Sequence, residues 1–175
     1  MMPLMHRLRW ILAALVFTAL PSLAAPQNKP RLPPELDQTV KSLIVLMSDN
    51  HVSAYDVRLL RSASAESDPE EFTLVSFTLE SFGGGNEYSQ YVAAFERIEP
   101  EKAPARRLRY RLVAVTQVGA KAWRAVDFDR VTYADGRIVF NIREYRANEA
   151  FCCPSKPGKA TYLVDRFSLK EVVAH

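Results

Sequence analysis

Apolar residues in this chain recur on two different periods. Leu36, Val40, Leu43, Ile44 and Met47 stand at spacings of four, three, one and three, which lays them along one face of a helix. From Phe72 onward the repeat becomes two, in segments rich in aromatic and β-branched residues separated by turn chemistry. These segments predict strands near 72–80, 88–97, 108–116, 122–133, 137–145, 161–165 and 167–173. Short connections pair sequence neighbours in space. Asp135-Gly136 tolerates the positive φ of a tight hairpin, and in the strand after it Ile138, Phe140 and Ile142 share one side. The stretch 49–61 stays open: Tyr55, Val57 and Leu59 alternate as in a short strand, whereas Ser53 suits the N-cap of a second helix. The expected fold class is α+β, an N-terminal helix packed on a mostly antiparallel, meander-like twisted sheet of about six or seven strands.

Residues 1–24 read as a secretory signal peptide. His6, Arg7 and Arg9 form a positive start, Trp10 to Leu20 an apolar run, and Ser22-Leu23-Ala24 a small-residue cleavage site. The apolar run falls short of the ~20 residues that span a bilayer, so no stable membrane insertion is expected after cleavage. Pro26, Pro30, Pro33 and Pro34 make 25–34 an extended tether, and 35–175 a single domain. The expected location is the periplasm if the host has an outer membrane, and otherwise the medium. Losing Arg7 and Arg9 lowers the basic count from 23 to 21 against 20 acidic residues, so the mature net charge is about +1. Nothing in that balance points to nucleic acid.

The only cysteines, Cys152 and Cys153, are adjacent and followed by Pro154 and Ser155. Ordinary disulfides hold Cα atoms about 4.4 to 6.8 Å apart, whereas neighbours across a trans peptide sit at about 3.8 Å. A Cys152–Cys153 bond would therefore be strained and labile. Pro154 pushes Cys153 out of the helical region. Four states are open to the pair: a strained bond that rigidifies the loop, an interchain bond, idle free thiols, or a redox or soft-metal site. The last lacks C-x-x-C spacing and an evident group to stabilise a thiolate. Zinc would need further ligands from His51, His175 or carboxylates, and none lies at a recognisable spacing.

Gly83, Gly84 and Gly85, before Asn86, join two strands without the Lys-Ser/Thr and helix of a P-loop. A hairpin loop needing positive φ is the plain reading, with close backbone approach by a ligand as the alternative. Arg107, Arg109 and Arg111 alternate with apolar residues and project from one strand face, with Arg106 beside them. That face is either solvated and paired with acids or an anion site for phosphorylated lipid, polysaccharide or a carboxylate. His51, beside Asp49, reads as a surface or capping residue. Asp127 and Asp129 alternate and would share a solvated face, while Trp123 and Phe128 are expected in the core. No G-x-S-x-G or H-E-x-x-H context supports an enzyme.

Several of these pieces occur in one order: Phe82-Gly83-Gly84-Gly85, an apolar strand from Tyr91 to Phe95, the turn Asp135 to Ile138, and Cys152-Cys153-Pro154-Ser155 before a final Tyr-containing strand. That order resembles small exported proteins of the LppP/LprE lipoprotein type over roughly 72–173, chiefly through the Cys-Cys-Pro-Ser run. The resemblance implies an exported β-rich domain and no particular activity. This chain departs from it in lacking a lipobox cysteine, and no D-x-[DN]-x-[DN]-G loop precedes the first strand, so no calcium is expected. The expectation is a non-catalytic binding or structural module of the cell envelope without cofactor, its partner an envelope component or small ligand. The alternatives are a thiol-based redox or soft-metal protein using Cys152 and Cys153, and an inhibitor of an envelope hydrolase whose loop 146–158 enters a groove.

Overall fold

The structure, a computed structural model, describes residues 31–48, 53–63, 72–80, 87–98, 109–150, 152–165 and 168–172. Helix α1 spans Pro34–Met47. Proline occupies its first position, where a missing N–H costs nothing, and Glu35 and Asp37 lie in the first turn, where the helix dipole favours negative charge. Lys41 Nζ donates to Asp37 Oδ2 at 2.6 Å one turn away. Ser48 ends the helix by donating both its N–H and its hydroxyl to Ile44 O. Leu36, Val40 and Leu43 are buried, with Ile44 and Met47 packed beside them, as the spacing predicts.

Among the described residues eight strands follow: β1 Ser53–Arg61, β2 Thr73–Glu80, β3 Tyr88–Ile98, β4 Arg109–Ala120, β5 Arg124–Ala134, β6 Arg137–Glu144, β7 Lys156–Val164 and β8 Leu169–Val172. They form one antiparallel meander in sequence order. The count exceeds the expected six or seven because the ambiguous stretch is a strand. Ser53 is not a helix cap: it pairs with Glu80, at the start of a β1–β2 ladder that satisfies the segment's backbone groups. The Asp135-Gly136 turn holds φ at 51° and 70°, the left-handed region that lets β5 and β6 close with two residues between them.

Burial shows how the meander is folded. All residues from Thr73 to Leu79 on β2 are buried, which requires cover on both faces. On one face Val75, Phe77, Leu79, Ala93 and Phe95 pack beneath Leu36, Val40 and Leu43 of α1. On the other, Leu74, Val92, Ala94 and Val118 meet Val126, Phe128, Ile138, Phe140, Ile142, Tyr162 and Leu169. The molecule is thus helix over β1–β4 over β5–β8. The sheet doubles back where β4 and β5 share a single register pair, Ala120 with Arg124. Inside the fold, Phe140 stands edge-on to Phe128 and Tyr162, at centroid separations of 5.9 and 6.0 Å.

Candidate functional site

The corner between the two layers is built from polar side chains. Gln90 on β3 donates Nε2–H to Val126 O at 2.9 Å and accepts Val126 N–H on Oε1 at 2.7 Å. Arg124, only 5 % exposed, donates Nε–H to Val118 O and holds both carboxylate oxygens of Glu171, at 2.7 and 2.8 Å. It also donates to the Tyr162 hydroxyl. Burial works to lower the Arg124 pKa, yet the hydrogen bonds and charge of Glu171 leave it raised. The same guanidinium holds the Glu171 carboxyl below its ordinary value. Thr116 Oγ1 donates to Leu169 O at 3.1 Å, so side chains stitch β8 to β4. At the far end of β5, Arg58 of β1 pairs with Asp129, and Arg61 lies 3.6 Å from the Tyr133 ring centroid.

The outer face of β5–β7 carries a groove of about 570 Å³. Its lining includes Asp127, Arg130, Asn141, Arg143, Ser155 and Pro157, with the strand segments at Val126 and Ile142, whose side chains are in the core, between them. Two irregularities open it. Between Asp127 and Val131, β5 loses register with β6, whose facing residues Asn141 and Phe140 are consecutive. The extra residues form a bulge, a device that re-aims side chains. Also, β8 pairs only with 161–164, so the half of β7 that contains Pro157 extends past it, where a missing backbone donor is tolerated.

One wall of the groove continues into the segment between β6 and β7, and a carboxylate shapes that segment. Glu149 Oε2 accepts the N–H of Arg146 at 2.9 Å and that of Ser155 at 3.3 Å, tying the two ends together. The Ser155 hydroxyl bonds to the same side chain, and together these bonds hold the Glu149 pKa below the ordinary carboxylate range. Asn148 turns the chain at φ 68°, and Cys153 N–H donates to Ala150 O at 3.2 Å. Cys152 and Cys153 are free and exposed on this loop. Their side chains hydrogen-bond to each other, and that bond is the main cause of a raised Cys153 pKa. Tyr145, at the loop's start, hydrogen-bonds to Tyr88, whose phenol burial and this contact push up to about 12.

The sequence candidates separate on this frame. Pro154 and Ser155 are half-buried, and Ser155 alone of the Cys-Cys-Pro-Ser run lines the groove. Gly83, Gly84, Gly85, Arg107 and His51 lie outside the described residues. Tyr88, which opens the strand after that glycine loop, touches the base of the cysteine loop. Arg109 and Arg111 are exposed on β4, away from the groove, with Arg111 ion-paired to Glu96 across the ladder. Asp127 and Asp129 do not share a face as alternation implied, because the bulge sends Asp127 to the groove and Asp129 to Arg58. Phe128 is in the core, but Trp123 is not: it is 44 % exposed. Trp123 sits in the β4–β5 turn after Ala122 at φ 64°, and its ring lies 4.1 Å from the Arg124 guanidinium.

Sequence reasoning missed Gln90, Arg124, Arg130, Asn141 and Arg143. The only local signal was Gly119, a glycine inside a strand, which marks close approach by another group. A Cβ there would stand 2.6 Å from Gln90 Oε1. Among the described residues, no helix is long and apolar enough to cross a membrane. Comparison with known proteins gave no matching family model, no matching curated protein and no matching solved structure.

Proposed function

We propose that this chain is an exported, non-catalytic binding module of the cell envelope that takes a small polar ligand in the β5–β7 groove. The observation that carries the reading is the groove itself, lined by charged and amide side chains and with a wall fixed by Glu149. The Ser155–Glu149 contact suits an anchor better than a nucleophile and its base. A carboxylate whose pKa is held low is a weak proton acceptor at neutral pH. Export rests on the positive start, apolar run and small-residue site within residues 1–24. The expected product is a chain beginning at Ala25, which intact mass of the exported protein checks.

Ligand-observed NMR with a panel of sugars, amino acids, cell-wall fragments and organic acids tests the binding role. At least one compound should bind the wild-type chain and fail to bind Asn141→Trp, whose indole fills the groove. Equal signals from both proteins across the whole panel would remove the reading.

A second reading, a redox or soft-metal role, is favoured by the adjacent, exposed thiols of Cys152 and Cys153, while the raised Cys153 pKa counts against it. Alkylation and intact mass before and after reduction separate the possibilities. Two alkylated thiols would exclude a bond within the pair, and a reducible dimer would point to an interchain bond.

A further inference from the structure

We infer that the groove recognises an anionic group, carboxylate or phosphoryl, gripped between Arg130 and Arg143; this rests on the binding role proposed above. Arg58, Arg111 and Arg124 are each ion-paired with a carboxylate. Arg130 and Arg143 line the groove from neighbouring strands and make no hydrogen bond or ion pair among the described residues. Their guanidinium donors are therefore open to a ligand. Arg is suited to such groups because its planar fork meets two oxygens at once.

The groove also contains a counterweight. Asp127 lines it, and one of its oxygens, Oδ1, accepts the N–H of Asp129 at 2.9 Å. Its other oxygen is an acceptor that repels a second negative charge. Two arginines against one carboxylate leave the lining net positive by one. That favours a ligand with a single anionic end and a hydroxyl or amine donor for Asp127. Asn141, paired in register with Asp127, adds an amide able to donate or accept between the two ends.

The bulge is what brings the arginines together. Arg130 falls within the irregular step of β5, whereas Arg143 sits in regular pairing with Ala125 on β6. In an unbroken ladder, residues 130 and 143 would be far out of register. The extra residues of β5 shorten that separation and put both side chains on one concavity.

The test titrates the mature chain with glycerate, with glycerol 3-phosphate and with neutral glycerol, followed by calorimetry and ¹H–¹⁵N NMR. Saturable binding of either anion is expected, with shifts confined to β5–β7 and Ser155, and none with glycerol. Stronger binding of glycerate would identify a carboxylate site, and stronger binding of glycerol 3-phosphate a phosphoryl site. The pair Arg130→Ala with Arg143→Ala should weaken binding at least tenfold, and Arg143→Gln alone should weaken it measurably. Arg109→Ala with Arg111→Ala should leave binding unchanged. Equal losses from the two double variants would overturn the inference in favour of diffuse surface charge, and so would the absence of saturable shifts. If the anions fail while a neutral panel compound still distinguishes wild type from Asn141→Trp, the anion inference falls and the binding role stands.

Discussion

The carboxamide of Gln90 pairs with the backbone of Val126 as a neighbouring strand would, donating one hydrogen bond and accepting another at 2.9 and 2.7 Å. It serves β5 at the corner where the ladder with β4 has just ended. Removing it leaves a buried N–H and C=O without partners. Gln90→Leu is therefore expected to cost about 2 to 4 kcal/mol, the desolvation penalty of two orphaned groups rather than the modest net value of two bonds. Urea unfolding measures it, and a loss well under 1 kcal/mol would show that the corner does not depend on this side chain.

Gly119 is the other half of that arrangement. Its added Cβ would meet Gln90 Oε1 at 2.6 Å and Arg124 O at 2.9 Å, the second being backbone that has little room to yield. Gly119→Ala should destabilise by about 1 to 3 kcal/mol through overpacking. Because one of the two clashes is with Gln90, the losses should not add. In a Gln90→Ala background the Gly119→Ala penalty should shrink by at least about 0.5 kcal/mol, a coupling that a double-mutant cycle reads directly.

These two residues also show which parts of the structure the sequence made readable. Period-two alternation marks Ile138, Phe140 and Ile142 as inward because their burial alternates with the exposure of their neighbours. It cannot show that β2 is covered twice, since a strand buried on both faces loses the contrast on which the pattern depends. Ser53 was ambiguous for a different reason: capping is a local preference, and the pairing with β2 that overrides it is not local. The groove was least legible of all. Arg130 and Arg143 stand on separate strands, and only a bulge invisible to periodicity makes them neighbours.

Arg124 and Glu171 predict a particular response to acid. Arg124 hydrogen bonds depress the Glu171 pKa in the folded chain, so the folded state binds its proton more weakly than the unfolded state, where the value is about 4.3. The resulting stability is present above the unfolded pKa and is lost as pH falls through the folded one. Glu171→Gln should thus be less stable than wild type near neutrality, with the gap narrowing below about pH 4. Arg124→Ala is expected to cost about 3 kcal/mol, because it removes a buried side chain and leaves Val118 O without its donor. Thermal melts from pH 3 to 8, a range chosen to bracket about 4.3, test both, and a gap independent of pH would sever Glu171 from the linkage.

Glu149 makes its prediction through the cysteines. Its carboxylate joins Arg146 N to Ser155 N, so Glu149→Ala frees both ends of the loop that carries Cys152 and Cys153. The side chain is at the surface and its contacts are local, so overall stability should change little. The thiols should respond more. In the reduced wild-type protein, the hydrogen bond between the two thiols holds the Cys153 proton and raises its pKa, so alkylation should have its midpoint above that of an ordinary exposed thiol. Loosening the loop in Glu149→Ala lets the side chains separate and removes a nearby negative charge. Both effects should shift the midpoint down and speed alkylation at neutral pH. Iodoacetamide kinetics followed by intact mass provide the comparison; identical profiles for the two proteins would mean that Glu149 does not control the cysteine pair.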